Sequence, residues 1–336
     1  MSVHAFSQLS NHLHKYLIHE PTPYAEFIEQ SVYSAQIHNP WFIERFIHTM
    51  FQHIVQLTNQ SILEPYTIDM KPPKQPKKVL VIAAGNIPMV SFKDVMDVLL
   101  SGHILVFKPS SKDTVLMKML LSLLKQFDPT LAEKIIIHES IISSKDIDAV
   151  IATGTNNTAM YIHHYFQHLP RIVRNNRTSL AIIDNCTTDE DLKKLSDDIL
   201  LYFGLGCRNV SKLFLSQNFD IQRLFNALLD YSFVMHHHKY MNNYDYYRSI
   251  YLLNHESFLE NHFIILKEST DLHAPVANVF YEYYSDEQTI YHYIQTHKND
   301  IQTIVSKNHT PFGKSQFPNI DDWADGIHTK NFLIEL

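Results

Sequence analysis

The chain has 336 residues, 45% hydrophobic and 19% charged, with a formal net charge of −7. That length and apolar content can bury large cores, with room for about two domains. The lysines are scattered and form neither a basic block nor a basic face, which argues against nucleic acid or an anionic membrane as principal partner and leaves small molecules.

The opening stretch, MSVHAFSQLSNHLHKYLIHEP, has no cationic region ahead of an apolar core. No later run reaches the roughly 18 apolar residues that span a bilayer, so a cytoplasmic protein without integral membrane association is expected. Cys186 and Cys207 are the only cysteines. They supply neither a disulfide framework nor a paired-cysteine zinc site, and both thiols are expected to be free.

Residues 1–70 are predicted to be a helical segment packing on the domain that follows. In NPWFIERFIHTMFQHIVQL, Asn39 stands as a helix cap, Pro40 at the first helical position, and Phe42, Phe46, Phe51, Ile54 and Val55 near helical spacing. The prolines of MKPPKQPKK forbid regular structure. Short apolar runs then alternate with amphipathic stretches: VLVIAAG, ILVFKPS, DAVIATG and SLAIID are separated by FKDVMDVLLSG, DTVLMKMLLSLLKQF and NTAMYIHHYFQHL. This is the pattern of an open, doubly wound α/β sheet of buried parallel strands. The alternation continues past Cys207 through KLFLS, FDIQRLFNALLDY, NHFIIL, PVANVFYEYY and IQTIVS, which predicts a second α/β domain. The division expected is a nucleotide-binding domain over 71–177, a catalytic domain over 178–310, and a segment over 311–336 that returns to the cofactor domain or forms an oligomer interface.

Three motifs fall at strand ends, where open α/β sheets bind ligands. AAGNIPMVSF carries Asn86, whose amide can face a developing oxyanion or simply cap a turn. In SGHILVFKPSSKD, Lys108, Ser110 and Ser111 leave a strand where they can meet ribose or phosphate oxygens. In AVIATGTNNTAMYI, Gly154 and Thr155 lead into a helix N-terminus, a ready anion site and also an ordinary strand–helix turn. A fourth stretch, LLYFGLGCRN, puts Gly204 and Gly206, two of only seven glycines, just ahead of Cys207. A lone cysteine is more often a packed core residue than a nucleophile. The dinucleotide fingerprint is excluded for this stretch, because Asn209 stands where a third glycine is needed and DILLYF reads as the end of a helix.

Taken in this order and spacing, Asn86, KPS, the TGT turn and the glycine-flanked Cys207 resemble the aldehyde dehydrogenase superfamily. FGLGCRNVSKLFL and PFGKSQFPNIDDWADGIHTKNFL look most like its LuxC-type acyl-CoA reductases. The resemblance covers residues from about 80 to the end. It implies an aldehyde dehydrogenase-like fold of two doubly wound α/β domains with a helical N-terminal segment. It also implies Cys207 as the nucleophile that takes an acyl group from its thioester, and Asn86 with the Cys207 N–H as the oxyanion site. Lys108, Ser110, Ser111, Gly154 and Thr155 would hold the cofactor, and Asp271 would contact the nicotinamide ribose. The two glycines would let substrate and nicotinamide approach the sulfur.

Two departures from the superfamily pattern refine this. Hydrolytic members carry a glutamate that activates water; the matching segment VRNNRTSLAII has Val173 there and Arg177 at the lysine position, which favours a reductase or a CoA-dependent enzyme. Ser111 falls where NAD-preferring relatives place a ribose-binding glutamate, and losing that carboxylate makes room for a 2′-phosphate, so NADPH is expected, with NADH the alternative. The expected activity is reduction of an acyl-CoA or acyl carrier thioester to an aldehyde, the partners being that thioester and a second copy of the chain or a pathway enzyme. The competing readings are a CoA-acylating aldehyde dehydrogenase, a cysteine acyltransferase, and a non-catalytic acyl- or nucleotide-binding member.

Other features take their structural readings. Cys186 in IDNCTTDEDL is read as structural. Successive histidines such as His236, His237 and His238 point in different directions on regular structure, and the His164–His168 pair lacks the metalloprotease glutamate, so no metal is expected. The tyrosine-rich YMNNYDYYRSIYLL is read as packing, with a lining for an acyl chain as the alternative.

Overall fold

Alternating apolar and amphipathic stretches build two sheets, and each sheet anchors its own unit of the chain. The computed structural model describes residues 2–140, 142–154 and 156–336. One unit comprises Met1–Asn176 with Asn319–Leu336, the other Arg177–Pro318.

The first unit begins with helices α1 (Val3–Leu17), α2 (Ala25–His38), α3 (Glu44–Leu57) and α4 (Gln60–Thr67). Next come β1 (Lys78–Ile82), α5 (Phe92–Leu100), β2 (Ile104–Lys108), α6 (Val115–Phe127) and the single turn α7 (Leu131–Lys134). They are followed by β3 (Ile135–Ile137), β4 (Ala149–Thr153), α8 (Asn156–Tyr165) and β5 (Arg171–Arg174). α1 places Ala5, Phe6, Leu9 and Leu13 on one fully buried face and packs against α3 and α6. Each such Phe or Leu contributes about 1.5–3 kcal/mol relative to exposure.

Helix α3 starts at Glu44, not after Asn39. Asn39–Pro40–Trp41–Phe42 forms a β-turn instead, closed by the Phe42 N–H on the Asn39 carbonyl at 2.8 Å. The Asn39 Oδ1 accepts the Trp41 N–H at 3.2 Å. Asparagine first and proline second is the chemistry of a turn as much as of a helix start, and here the turn wins.

The five strands pair in parallel in the order β3-β2-β1-β4-β5. From β1 the chain crosses one way to β2 and later returns to β4 on the other side. The carboxyl ends of β1 and β4 therefore flank a topological switch point, where sheets of this kind take ligands. β3 and β5 were not anticipated: one has three residues and the other, RIVR, has charged ends, and both are edges.

The second unit contains β6 (Thr178–Ile183), α9 (Asp189–Leu200), β7 (Val210–Ser216), α10 (Ile221–Leu228) and α11 (His238–Leu253). It continues with β8 (Leu259–Glu260), β9 (Ile265–Glu268), β10 (Asn278–Tyr284), α12 (Glu287–Thr296) and β11 (Ile301–Val305). The strand order is β11-β6-β7-β10-β9-β8, parallel except for β8, so SLAIID opens the second sheet. A reciprocal capping box between Thr188 and Asp191 starts α9. α11 buries Tyr240, Tyr244 and Tyr251 and leaves Tyr246 59% exposed, as a packing helix does.

In MHHHKY, His237 accepts the Tyr240 N–H at 3.2 Å and caps α11. α8 ends at Tyr165, so His164 and His168 do not share a face of it. Cys186 is exposed, not packed, because it lies in the loop after β6 where its N–H donates to Asp184 Oδ1 at 3.0 Å.

Residues after Asn319 return to the first unit through α13 (Thr329–Ile334). Arg174, buried against Asp94, donates to the Thr329 hydroxyl at 2.8 Å. Lys330 Nζ donates to the Tyr66 carbonyl at 2.6 Å and pairs with Asp69. His103 accepts the Lys77 N–H at Nδ1 (3.1 Å) and meets the Leu333 carbonyl at Nε2 (2.9 Å), which fixes it as the neutral Nε2–H tautomer.

Candidate active site

In the second unit, α9 ends at Leu200 and the chain turns sharply. Tyr202, Phe203 and Gly204 take left-handed φ values of 55°, 57° and 73° in succession. For the two aromatic residues this costs roughly 1–2 kcal/mol each, so packing must hold them. Both rings are buried, and Phe203 stacks on His237 with centroids 4.2 Å apart. Gly204, expected to clear space ahead of the sulfur, is first a conformational requirement at φ +73°.

Cys207 follows at the second position of the turn Gly206–Cys207–Arg208–Asn209, closed by the Asn209 N–H on the Gly206 carbonyl at 3.0 Å. Cys207 forms no disulfide and is half-exposed. The Ser179 hydroxyl on β6 donates to the Cys207 carbonyl at 3.1 Å, and the Ser179 N–H donates to the Asn209 carbonyl at 3.2 Å. Asn209, 2% exposed, accepts the Gly206 N–H at 2.8 Å and donates to the carbonyls of Asp198, Ile199 and Leu201 at 3.1, 3.2 and 2.9 Å. Asp198 is itself fully buried and accepts the Gly313 and Ser315 N–H groups at 2.6 and 2.9 Å. Burial pushes its carboxyl up to about 6, against the pull of those bonds.

Asp271 is exposed and lines a cleft of about 810 Å³ together with Phe214, His273, Glu282, His292 and Tyr293. The Ser211 hydroxyl donates to the Leu272 carbonyl at 2.9 Å, so the strand after Cys207 is joined to the loop that carries Asp271. Lys212, fully buried, pairs with Glu282 at 2.6 Å and donates to the Ser269 carbonyl. Burial pushes its ammonium below the ordinary lysine value, and Glu282 opposes that shift. Lys212 thus holds the same loop from beneath.

In the first unit the remaining sequence candidates gather at the carboxyl ends of adjacent parallel strands. Asn86, exposed, follows β1; Lys108, half-exposed, ends β2; Ser110 and Ser111 follow it; Gly154 follows β4. Thr155 lies outside the described residues. A Cβ on Gly85 would sit 2.4 Å from Ser110 Oγ and 2.9 Å from Lys112 Cβ, so the two loops touch only because Gly85 has no side chain. Asp113, 3% exposed, ties the same loops together by accepting the Met89 N–H at 2.6 Å, and burial pushes its carboxyl up to about 7. From α2, His38 meets the Ser111 carbonyl at 2.8 Å, and Asn39 donates to the Lys112 carbonyl at 3.2 Å. Close backbone approach, a lysine and serine hydroxyls at a switch point fit the phosphate and ribose groups of a dinucleotide.

Val173 sits half-buried in β5 against a cluster that includes Leu80, Val106 and Val150, so this position offers no carboxylate. Arg177 donates to the Ile301 carbonyl at 3.4 Å. Among the described residues, no group of three His, Cys, Asp or Glu side chains is arranged to hold a metal ion, and no helix is long and apolar enough to cross a membrane. Sequence reasoning passed over Asp113 and Lys212, and weighed Asn209 only as a missing glycine. Each stands inside a quoted stretch, and each acts through partners that the fold brings to it: Met89 for Asp113, the end of α9 for Asn209, and Ser269 and Glu282 for Lys212.

Comparison with known structures agrees with this architecture. The chain is similar to the NAD+ complex of an aldehyde dehydrogenase from Bacillus cereus, at 13% identity and a TM-score of 0.64 over 90% of this chain and 70% of that one. A Mycobacterium tuberculosis aldehyde dehydrogenase complexed with NAD+ gives 13% identity and 0.66 over 91% and 73%. A mutant aldehyde dehydrogenase C from Pseudomonas syringae, complexed with NAD+ and octanal, gives 10% and 0.64 over 91% and 72%. At such identities the likeness establishes the aldehyde dehydrogenase-like fold. No curated protein matches the sequence. The family model of the acyl-CoA reductases (LuxC) matches residues 57–233, more than half of the chain. Fold, motif order and family model together place this chain in the LuxC acyl-CoA reductase family, oxidoreductases acting on acyl or aldehyde groups.

Proposed function

We propose that the protein reduces a fatty or other acyl-CoA to the aldehyde with NADPH, through a thioester on Cys207. The observation that carries this reading is Cys207 itself, a half-exposed cysteine outside any disulfide at the second position of a turn anchored on both sides. Its thiolate attacks the acyl carbonyl, a new carbon–sulfur bond forms, and the CoA thiolate leaves. Exchanging one thioester for another changes bond energy little and keeps the carbonyl electrophilic. Asn86 donates its amide hydrogens to the oxyanion of each tetrahedral species. Lys108, Ser110, Ser111, Gly154 and Thr155 would hold the dinucleotide, and Asp271 would take the nicotinamide ribose. The bound nicotinamide would supply the hydride that turns the acyl carbonyl into a thiohemiacetal oxyanion. Collapse of that oxyanion breaks the carbon–sulfur bond, releases the aldehyde and restores the Cys207 thiolate, with no proton required from the protein.

Two observations favour reduction over hydrolysis and NADPH over NADH. Val173 is an apolar packing residue in β5, so that position provides no base to activate water against the acyl-enzyme. Ser111 is exposed and carries no carboxylate to repel a 2′-phosphate. The test is a panel of acyl-CoAs with NADPH and NADH, followed by absorbance and by mass spectrometry of the protein. Cofactor oxidation and an acyl adduct on Cys207 are expected, and Cys207→Ala should abolish both. Turnover that survives the substitution overturns the mechanism.

A further inference from the structure

The turn that carries Cys207 is held by the neighbour two residues on. Asn209 closes it with its backbone, N–H to the Gly206 carbonyl at 3.0 Å, and again with its side chain, Oδ1 from the Gly206 N–H at 2.8 Å. The other end of that amide reaches across the left-handed segment. Nδ2 donates to Leu201, just before Tyr202, and to Asp198 and Ile199 in the last turn of α9. One planar group therefore spans both ends of the strained stretch Tyr202–Gly204 and fixes the base of the turn in the same stroke. Ser179 completes the clamp from β6 through the carbonyls of Cys207 and Asn209.

A helix cap alone would need only the Nδ2 contacts, and a tight turn only the backbone bond. The coincidence of both in a side chain 2% exposed means that the position of the sulfur is set by the orientation of this amide. Buried, its donors and acceptor have no water to fall back on, so a change of chemistry at this position shifts the turn. Displacements of about 1 Å at a reacting group can cost about 100-fold in rate.

We infer that Asn209, backed by Ser179, is the positioning residue of the nucleophile: it places Cys207 for attack on the thioester without touching substrate. This rests on the reading of Cys207 as the acyl acceptor. Asparagine is specifically required, since aspartate has the same shape but, ionised, would set an oxygen against three carbonyl oxygens.

The test measures single-turnover acylation of Cys207 by an acyl-CoA in wild type, Asn209→Asp and Ser179→Ala, together with the KM for NADPH. In Asn209→Asp, acylation is expected to fall about 100-fold at pH 8 while the KM for NADPH stays within about twofold. As pH falls, a carboxyl among carbonyls is protonated and donates again, so the ratio of variant to wild-type acylation rate should rise, any change in the Cys207 nucleophile itself being common to both proteins. A structural cap would leave that ratio flat. Ser179→Ala removes one tether and should slow acylation about tenfold, which keeps the test open if Asn209→Asp does not fold. Variant acylation at the wild-type rate overturns the positioning role and leaves the nucleophile reading standing. A wild type that takes no acyl group at Cys207 sinks both.

Discussion

Replacing Asp113 by asparagine tests the electrostatics of the nucleotide end of the first sheet. The carboxyl is 3% exposed, accepts the amide of Met89 at 2.6 Å and also interacts with that of Met117, yet burial outweighs both and pushes it up to about 7 from an ordinary 3.8. A raised carboxyl favours the protonated form in the folded state, so its contribution to stability is full below the ordinary value and is lost as pH rises through 7. The gap corresponds to about 4 kcal/mol, of which about 3 kcal/mol falls between pH 5 and pH 8. Asparagine keeps one oxygen for Met89 and cannot ionise. The stability of the wild type relative to Asp113→Asn should therefore drop by about 3 kcal/mol over that interval, whatever constant offset the lost second acceptor adds. Urea unfolding followed by tryptophan fluorescence is the assay, because both tryptophans, Trp41 and Trp323, lie in the unit that contains Asp113. A difference between the two proteins that does not change with pH refutes the reasoning.

Three further outcomes are expected. Gly85→Ala forces a methyl to within 2.4 Å of Ser110 Oγ and should cost about 1–3 kcal/mol and weaken binding of a reduced nicotinamide cofactor, read by thermal melting and cofactor fluorescence; unchanged binding would show that the two loops need not touch. Arg174→Ala strands the buried Asp94 carboxylate and should cost about 3–5 kcal/mol in urea unfolding, whereas exchanging both partners for apolar residues of similar volume should cost much less. His103 is neutral because burial pushes its imidazole below the ordinary value, so the stability it lends is present above 6.5 and is lost as pH falls through the lowered value. The protection factors of the α13 amides, which correct for the slower base-catalysed exchange in acid, should fall from pH 7 to pH 5 in the wild type but not in His103→Gln.

The parallel strands were legible because buried β-branched runs leave a continuous apolar trace, as in KVLVI and ILVFK. The positions of Asn86, Lys108 and Gly154 at strand ends followed from the same pattern. β5 escaped notice because an edge strand can afford arginine at each end, and the start of α3 because Asn-Pro serves a turn as well as a cap. The left-handed run at Tyr202 and Phe203 was hidden, since no local rule puts bulky aromatic residues there; it is sustained by His237 and Tyr240, more than thirty residues later. Asn209 failed as a third glycine in a fingerprint, and its value as an amide depends on carbonyls that only the end of α9 brings within reach.

The return of α13 to the first sheet gives the chain an unusual order of assembly. A ribosome delivers residues 1–176 first, but their unit stays unfinished, lacking Thr329 for Arg174, Lys330 for Asp69 and the Leu333 carbonyl for His103. The later segment, Arg177–Pro318, is continuous and can complete its sheet as soon as it emerges. The first half of the nascent chain must then wait through the synthesis of the second with apolar surface uncovered.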